Sequence, residues 1–345
     1  MEEYFDFIVS EKYEPVRVPT GLYSFDVAMG NTTTRGFPLG QISEIYGDPS
    51  VGKSTFSYYL AVKTATQDIN RKLPDKFPIE EKDRGKYPYI ILCDVEGLNL
   101  NYIQRNFRRL GYKGSLYLVP QVQKGKLLTH SKMLDIAHEE FEERGNVLIL
   151  DSVGAVVSDA ELESELADAN MGSRARLISK FLKRINQVRL SNHGSVFLVN
   201  HLFTSLGTFQ TKETAGGRTI RYLSSIRIHL SRGDVWKKGN TILATITKGK
   251  VDKLRDGGGG DTFYFVIIPD YGISQNLTAI VDCLNLFPKE FTLSDSGTLR
   301  FEGDSLGNIS KFIEYELAEQ TDKFELFYTR LQTAEGNYEE QQQND

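Results

Sequence analysis

Gly47-Asp48-Pro49-Ser50-Val51-Gly52-Lys53-Ser54 is the stretch of sequence that decides the fold. It matches in full the phosphate-binding loop, in which two glycines and a Lys-Ser pair stand at a fixed spacing. Glycines let the backbone curl so that N–H groups face a phosphate, and the helix that follows adds its positive N-terminal end. We expect Lys53 to reach the β- and γ-phosphates and Ser54 to supply a hydroxyl to Mg²⁺, with Thr55 beside them. An ordinary glycine-rich turn is the alternative, and the flanking strand and helix patterns argue against it.

Strand-like apolar runs and helical patterns alternate around this loop. The strand-like runs are 42–46, 89–93, 147–150 and 195–199, and the helical patterns are 55–65, 127–143 and 173–190. Such alternation predicts an α/β fold with a mostly parallel twisted sheet and helices on both faces. Three further strand-like segments, 222–231, 241–248 and 262–268, predict an antiparallel extension of the sheet.

The chain divides into four predicted segments. These are a short N-terminal segment (1–18), an ATPase core (19–272), a small C-terminal α+β domain (273–333) and an acidic tail (334–345). The tail is rich in Gln and acidic residues, so we expect it to be disordered. Gly257 to Gly260 favour a hairpin loop over a flexible interdomain linker, because strand-like sequence flanks them closely.

Composition excludes several classes of protein. The 345 residues carry a net charge of −5, so any nucleic-acid contact requires a local basic surface. Two cysteines suit neither a disulfide framework nor a four-ligand zinc site. No apolar run approaches the roughly 18 residues of a membrane span, and the acidic N-terminus lacks a signal-peptide pattern. We expect a cytoplasmic protein without membrane contact.

Acidic residues follow two of the predicted strands. Asp151 ends the run 147–150, where it would hold a Mg²⁺-bound water. Glu96 lies just past the strand that ends at Asp94, at the carboxyl edge of the sheet where ligands collect. Either Glu96 or Asp94 could polarise an attacking water, and the position of Glu96 is the more favourable.

Several further segments carry a family resemblance. They are Pro19 to Asp26, Gly36 to Gly47, Asp151-Ser152-Val153-Gly154-Ala155, Ala160 to Leu166 and Asn170-Met171-Gly172. Together with the phosphate loop they resemble the RecA/UvsX recombinase family, including its phage-encoded branch, over roughly residues 16 to 333. The resemblance implies a RecA-like ATPase core that binds ATP and Mg²⁺. It also implies that the N-terminal segment contacts a neighbouring subunit, although that segment is shorter than in RecA.

The resemblance assigns roles around the nucleotide. Glu96 resembles the catalytic glutamate, and Asn200-His201 resembles the pair that senses the γ-phosphate, with His as in the phage branch. Tyr102 is the candidate for stacking on adenine. Arg221, Lys248 and Lys250 match cations that reach ATP on a neighbouring subunit, although lysines at a strand end are often merely solvated.

The resemblance also implies two DNA-binding loops. Beside them, the helical pattern 173–190 presents a basic face of Arg174, Arg176, Lys180, Lys183 and Arg184. Leu202 to Gly217 resembles the second loop, whose apolar wedge would enter stretched DNA. A loop folded onto its own core, and a basic helix face that is simply solvated, are the alternatives. The implied DNA-binding residues are Met171, Gly172, Arg174, Arg176, Phe203, Leu206, Gly207, Phe209, Gly216, Gly217 and Arg218.

The implied function is that of a DNA-dependent ATPase and recombinase. Such a protein would form a helical filament on single-stranded DNA and exchange strands with a homologous duplex, with single-strand-binding and loader proteins as further partners. A RecA-like accessory ATPase without strand exchange is one alternative, and a hexameric helicase motor is another. A metabolic or signalling kinase is a third, but no acceptor-substrate motif supports it.

Overall fold

A computed structural model describes residues 16–30, 35–67, 87–163, 172–204, 212–255 and 259–343, with side chains up to residue 334. The helices are α1 (Tyr23–Ala28), α2 (Lys53–Thr66), α3 (Leu100–Arg109), α4 (His130–Glu143), α5 (Asp159–Glu163), α6 (Ser173–Asn192), α7 (Arg218–Leu223), α8 (Gln275–Leu286), α9 (Ile309–Leu317) and α10 (Glu325–Gln343). Short 3-10 turns occupy Val153–Ala155 and Thr321–Phe324.

Within the described residues, the strands form one large sheet and three small ones. In chain order they are β1 (Arg17–Val18), β2 (Phe37–Pro38), β3 (Ile42–Gly47), β4 (Tyr89–Asp94), β5 (Ser115–Leu118), β6 (Val122–Gln123), β7 (Lys126–Leu127), β8 (Val147–Asp151), β9 (Ser195–Thr204), β10 (Lys212–Thr214), β11 (Ile226–Lys238), β12 (Thr241–Leu254), β13 (Thr262–Ile268), β14 (Gly272–Ser274), β15 (Phe291–Leu293), β16 (Thr298–Phe301) and β17 (Asp304–Asn308). The large sheet runs in the order β14-β13-β12-β11-β3-β9-β8-β4-β5, and β10 pairs with β9.

The pairing confirms the predicted fold class. β11, β3, β9, β8, β4 and β5 run parallel, whereas β12, β13 and β14 extend the sheet in antiparallel fashion. Parallel strands are buried on both faces, and every residue of β3, β4 and β8 is accordingly buried. The carboxyl ends of β3, β4, β8 and β9 therefore meet along one edge of the sheet.

Two hydrophobic cores cover the two faces of the parallel strands. One contains the buried residues of α2, among them Phe56 and Leu60, packed on Ile45, Leu92 and Phe197. The other contains α4 and α6 packed on Ile42, Leu150 and Leu198. Because α2 is buried on nearly all sides, the helix that carries Lys53 and Ser54 is held firmly beneath the phosphate loop.

A third core joins the antiparallel edge of the sheet to the C-terminal elements. Trp236 and Ile246 of the long β11–β12 hairpin pack with Ile280, Phe312 and Phe327 of α8, α9 and α10. The C-terminal elements thus share side-chain packing with the sheet, and the boundary at residue 272 stays a prediction. Helix α10 extends to Gln343, where the sequence predicted a disordered tail from residue 334. Glu and Gln are good helix formers, and this favours a continued helix.

Other differences concern element boundaries. Strand β11 begins at Ile226 rather than 222, because α7 occupies the residues before it. Strand β12 extends to Leu254, which places Lys248 and Lys250 inside the strand and not at its end. The chain passes from β12 to β13 as an antiparallel hairpin, as predicted for the glycine run, of which residues 257 and 258 lie outside the described part. Both cysteines, Cys93 and Cys283, are fully buried. Within the described residues, no helix combines the length and apolarity needed to cross a membrane.

Candidate functional site

The phosphate loop connects β3 to α2 and rests on two other strands. A Cβ at Gly47 would lie 2.0 Å from the carbonyl oxygen of Leu230 in β11, so the close approach of these strands requires glycine. Thr247 of β12 donates its hydroxyl to the Val51 carbonyl at 3.0 Å. Gly52 adopts a left-handed conformation with φ of 89° and directly precedes α2. Contacts with β11 and β12 therefore hold the phosphate loop in place before any nucleotide binds.

A cavity of about 440 Å³ opens beside this loop. Lys53, its ammonium bonded to the Asp48 carbonyl at 2.8 Å, lies at its base. The lining brings together most of the predicted nucleotide residues, since it contains Pro49, Ser50, Gly52, Lys53, Ser54, Thr55, Glu96, Leu98, Tyr102, Asp151, Val199 and His201. The cavity therefore brings residues that follow β3 and β4 together with residues of β8 and β9 at the predicted edge of the sheet.

Asp151 has the properties of a ligand for a divalent cation. Its side chain is 1% exposed, and Tyr58 donates a hydrogen bond to its Oδ2 at 3.2 Å. Oδ1 is buried without a hydrogen-bond partner among the described residues. Burial raises the pKa of Asp151 to about 6, against a hydrogen bond from Ser54 that lowers it. A buried carboxylate oxygen without a partner beside a serine hydroxyl fits Mg²⁺, which binds few protein ligands and completes its shell with phosphates and water.

Glu96 and Asp94 have different surroundings. Asp94 accepts backbone N–H groups of Glu96, Gly97 and Leu98 at 2.6–3.0 Å, so its carboxylate holds the turn after β4. Glu96 instead faces the cavity. Burial acts to raise the pKa of Glu96, but hydrogen bonds from Ser152 and His201 outweigh it and lower the pKa. Of the two acids, the geometry favours Glu96 for a role at the phosphates and Asp94 for a structural one.

His201 joins Glu96 to the end of β9. Its Nε2 lies 2.9 Å from Glu96 Oε1, with both side chains about one-third exposed. Asn200, the residue before it, is buried and donates to Glu44 Oε1 and to the Ala215 carbonyl, both at 2.9 Å. The Asn200-His201 pair therefore contacts both the cavity and the segment after β10.

Sequence reasoning missed the partner of Asn200. Glu44 is fully buried in β3 and forms an ion pair with Arg227 of β11 at 2.6 Å. A single charged residue in a strand-like run was the available signal, but its partner lies 183 residues away in sequence. Such distant pairs cannot be recognised from local patterns.

Tyr102 projects from α3 towards Thr55. Their hydroxyl oxygens are 2.7 Å apart, and Tyr102 lines the phosphate cavity. A second cavity, of about 240 Å³, shares Thr55 with the first and continues along α3 past Asn106 and Arg109. Tyr102 therefore lines the same cavity as Lys53, Glu96 and Asp151.

The three cations predicted to act on a neighbour lie outside this cavity. Arg221 is 3.6 Å from Glu213, and Lys250 is 3.4 Å from Asp252. Lys248 is exposed, and none of the three appears among the lining residues of the cavity. Their position is compatible with action on another subunit and excludes contact with their own cavity in this conformation.

The predicted DNA-binding residues are only partly within the described chain. Met171, Leu206, Gly207 and Phe209 lie outside it. Gly172, at φ of 90°, precedes α6, and Gly216 and Gly217, both with positive φ, precede α7, which begins at Arg218. Phe203 is 47% exposed near the end of β9, whose last residue, Thr204, pairs with Lys212 of β10.

The basic helix face is smaller than predicted. Arg174 contacts the Gly154 carbonyl and Glu161, and Arg184 forms an ion pair with Asp135 of α4 at 2.7 Å. Arg176, Lys180 and Lys183 remain exposed on α6. Because they are spaced at i, i+4 and i+7, these three form one stripe along the helix.

The sheet, the phosphate loop and the acidic residues at its edge define a P-loop α/β protein. The family model of the RecA N-terminal domain matches residues 103–271. RecA from Syntrophus aciditrophicus is 30% identical over 304 residues, covering 86% of this chain and 78% of that protein. RecA from Geobacter sulfurreducens is 29% identical over 296 residues, covering 84% of this chain and 77% of that protein. The chain belongs to the RecA recombinase family.

A solved structure of the RadB recombinase also matches, with a TM-score of 0.49 and 17% identity over 74% of this chain and 98% of that chain. Members of the RecA family are DNA-dependent ATPases that use ATP with Mg²⁺.

Proposed function

We propose that this protein is an ATP-dependent recombinase that forms a filament on single-stranded DNA and pairs it with a homologous duplex. The observation that carries the proposal is the course of β9. In this strand His201 contacts Glu96 in the phosphate cavity, and Phe203, two residues later, is exposed at the start of the predicted second DNA-binding loop. Binding or loss of the γ-phosphate at His201 would therefore alter the conformation at the start of that loop.

The phosphate loop would bind the nucleotide. Backbone N–H groups of the loop and the ammonium of Lys53 would neutralise the phosphates, and the nucleoside would lie along Tyr102. Ser54 and Asp151 would hold Mg²⁺, which would supply positive charge beside the bound phosphates. Glu96 would orient the attacking water, and His201 would exchange its contact with Glu96 for one with the γ-phosphate.

Assembly into a filament would complete the site. Lys248, Lys250 and Arg221 would reach the phosphates bound to the neighbouring subunit, where fixed positive charge stabilises the transition state. Hydrolysis would then depend on polymerisation. The N-terminal segment would take part in subunit contact.

Single-stranded DNA would lie along the two loops and the stripe on α6. Arg176, with Lys180 and Lys183, would contact phosphates without sequence preference. The apolar residues Leu206 and Phe209 would separate stacked bases, and Gly216-Gly217 would allow the loop to turn back. Homologous duplex DNA would be the second substrate, and single-strand-binding and loader proteins the auxiliary partners.

The test is ATP hydrolysis with and without single-stranded DNA. We expect DNA to stimulate hydrolysis. We expect Glu96→Gln to lower the DNA-stimulated rate by at least about 100-fold, because the attacking water loses the base that orients it. Glu314→Gln, at an exposed glutamate of α9, is the matched control and should behave as the wild type. Lys53→Ala should abolish nucleotide-dependent DNA binding, and undiminished binding would contradict the proposal.

Strand exchange between labelled oligonucleotides separates the remaining alternatives. Transfer of a strand that depends on ATP supports the recombinase. Hydrolysis stimulated by DNA without any transfer would instead indicate an accessory ATPase. A rate of hydrolysis that is indifferent to DNA would remove both loop assignments.

A further inference from the structure

A polar network covers the face of β3, β11 and β12 that points away from α2. Side chains at alternate positions of a strand share one face, and the neighbouring positions Ile45 and Ile228 belong to the α2 core. The residues on this face are Glu44, Tyr46, Arg227, His229, Lys248, Lys250 and Asp252, and all but Lys248 contact another member through their side chains. Apart from the two lysines, the function proposed above gives these residues no part.

Tyr46 is the rigid centre of this network. The Tyr46 ring stacks on the His229 ring, with 5.3 Å between the two centroids. The guanidinium of Arg227, which lies on β11 like His229, is 4.7 Å from the centre of the Tyr46 ring. Arg227 is in turn fixed by its ion pair with buried Glu44. With its ring held in this way, Tyr46 points its hydroxyl at one place, and that hydroxyl donates a hydrogen bond to Oδ2 of Asp252.

Asp252 uses its other oxygen for a lysine. Its Oδ1 lies 3.4 Å from the ammonium of Lys250, two residues earlier on the same face of β12. Lys248, two residues earlier again, has no carboxylate within ion-pair distance among the described residues. The two lysines of β12 therefore differ, because one is held by an acid that is itself anchored and the other extends freely.

We propose that Asp252 is a positioning residue that retains Lys250 on its own subunit until a phosphate bound to the neighbouring subunit displaces it. The inference rests on the proposed function, in which Lys250 acts in trans. A lysine has one ammonium charge, so contact with a phosphate competes with contact with the carboxylate of Asp252. The strength of the ion pair between Asp252 and Lys250 would therefore set the protein concentration at which subunits assemble in the presence of nucleotide.

The expected effect is modest, since the pair is partly exposed. The side chain of Lys250 is 52% exposed and that of Asp252 is 27% exposed. Ion pairs in such surroundings change an equilibrium by about 2- to 5-fold. Salt screens them, so the effect of removing the acid should shrink as ionic strength rises.

The experiment measures assembly of the full-length protein on fluorescently labelled single-stranded DNA with a non-hydrolysable ATP analogue. We expect Asp252→Asn to lower the protein concentration at half-maximal binding by about 2- to 5-fold. The same substitution should have no effect without nucleotide, and none in a Lys250→Ala background. Asp261→Asn, an exposed acid on the same hairpin, controls for the lost negative charge.

The outcomes separate this inference from the proposed function. If Lys250→Ala has no effect on assembly, Lys250 does not act on the neighbouring subunit, and the inference about Asp252 is overturned as well. If Lys250→Ala weakens assembly while Asp252→Asn acts equally in both backgrounds, only the inference is overturned. Weaker assembly by Asp252→Asn, with unchanged thermal stability, would also overturn it.

Discussion

Asp282 is a buried carboxyl where α8 meets α1. It is 1% exposed, accepts the Ser24 N–H at 3.2 Å, and has an oxygen without a partner among the described residues. Burial raises the pKa of Asp282 to about 7, and the nearby carboxyl of Asp26 also raises it. Burial likewise raises the pKa of Asp26 to about 6. The junction of α1 and α8 thus favours protonated acids.

Such a group makes stability fall as pH rises. The folded state retains a proton on Asp282 between the unfolded pKa of about 4 and the folded pKa of about 7, so its contribution is complete below pH 4 and disappears above pH 7. We expect Asp282→Asn to reduce the loss of unfolding free energy between pH 5 and pH 8 by about 2–3 kcal/mol. Urea denaturation at the two pH values measures it.

The control for this prediction is Asp295→Asn, at an exposed acid in the turn before β16. Its slope with pH should match the wild type. An unchanged slope for Asp282→Asn would show that Asp282 ionises in the folded protein with an ordinary pKa.

At the scale of one element, the connection from β3 to α2 depends on glycine. We expect Gly47→Ala to destabilise the protein by about 1–3 kcal/mol, because the added methyl group would push β3 away from the Leu230 carbonyl. Nucleotide affinity should fall as well, since the loop begins at this residue. Urea denaturation and equilibrium binding of a fluorescent ATP analogue measure the two effects.

Gly111→Ala is the matched control for Gly47→Ala. Gly111 also has a positive φ, of 66°, but a Cβ there meets nothing within 4 Å. It should therefore cost only the strain of the backbone, about 1–2 kcal/mol, and leave nucleotide binding intact. Equal effects of the two variants on nucleotide binding would contradict the steric explanation.

Elements also show how far the sequence predicts this molecule. The phosphate loop and the strand ending at Asp151 were predictable, because each is a contiguous motif with a defined spacing. Helix α3 was not recognised as an element, since Gln104, Asn106 and its arginines give a largely polar pattern. The contact of Tyr46 with Asp252 spans 206 residues and depends on strand order, which a single sequence does not reveal.

At the scale of the whole molecule, the third core joins the sheet to the C-terminal elements. Trp236, the single tryptophan, is 7% exposed within that core. Because the core contains residues from both sides of position 272, we expect the chain to unfold as one cooperative unit. Tryptophan fluorescence and far-ultraviolet circular dichroism should give the same urea midpoint.

Separate midpoints would indicate that the C-terminal elements unfold independently of the sheet. A control with Phe312→Ala in this core distinguishes the cases. In a cooperative unit this substitution should lower the free energy of unfolding by about 3–5 kcal/mol and should therefore lower both urea midpoints together. In independent units it would shift the two midpoints by different amounts.

The burial of both cysteines has a practical consequence. Burial raises the pKa of the Cys93 and Cys283 thiols to about 12, so neither presents a thiolate to reagents near neutral pH. A maleimide dye or a spin label would therefore attach to a cysteine introduced on the surface without prior removal of the native ones. Distances between labelled subunits could then be measured during assembly in a protein that differs from the natural chain at one position.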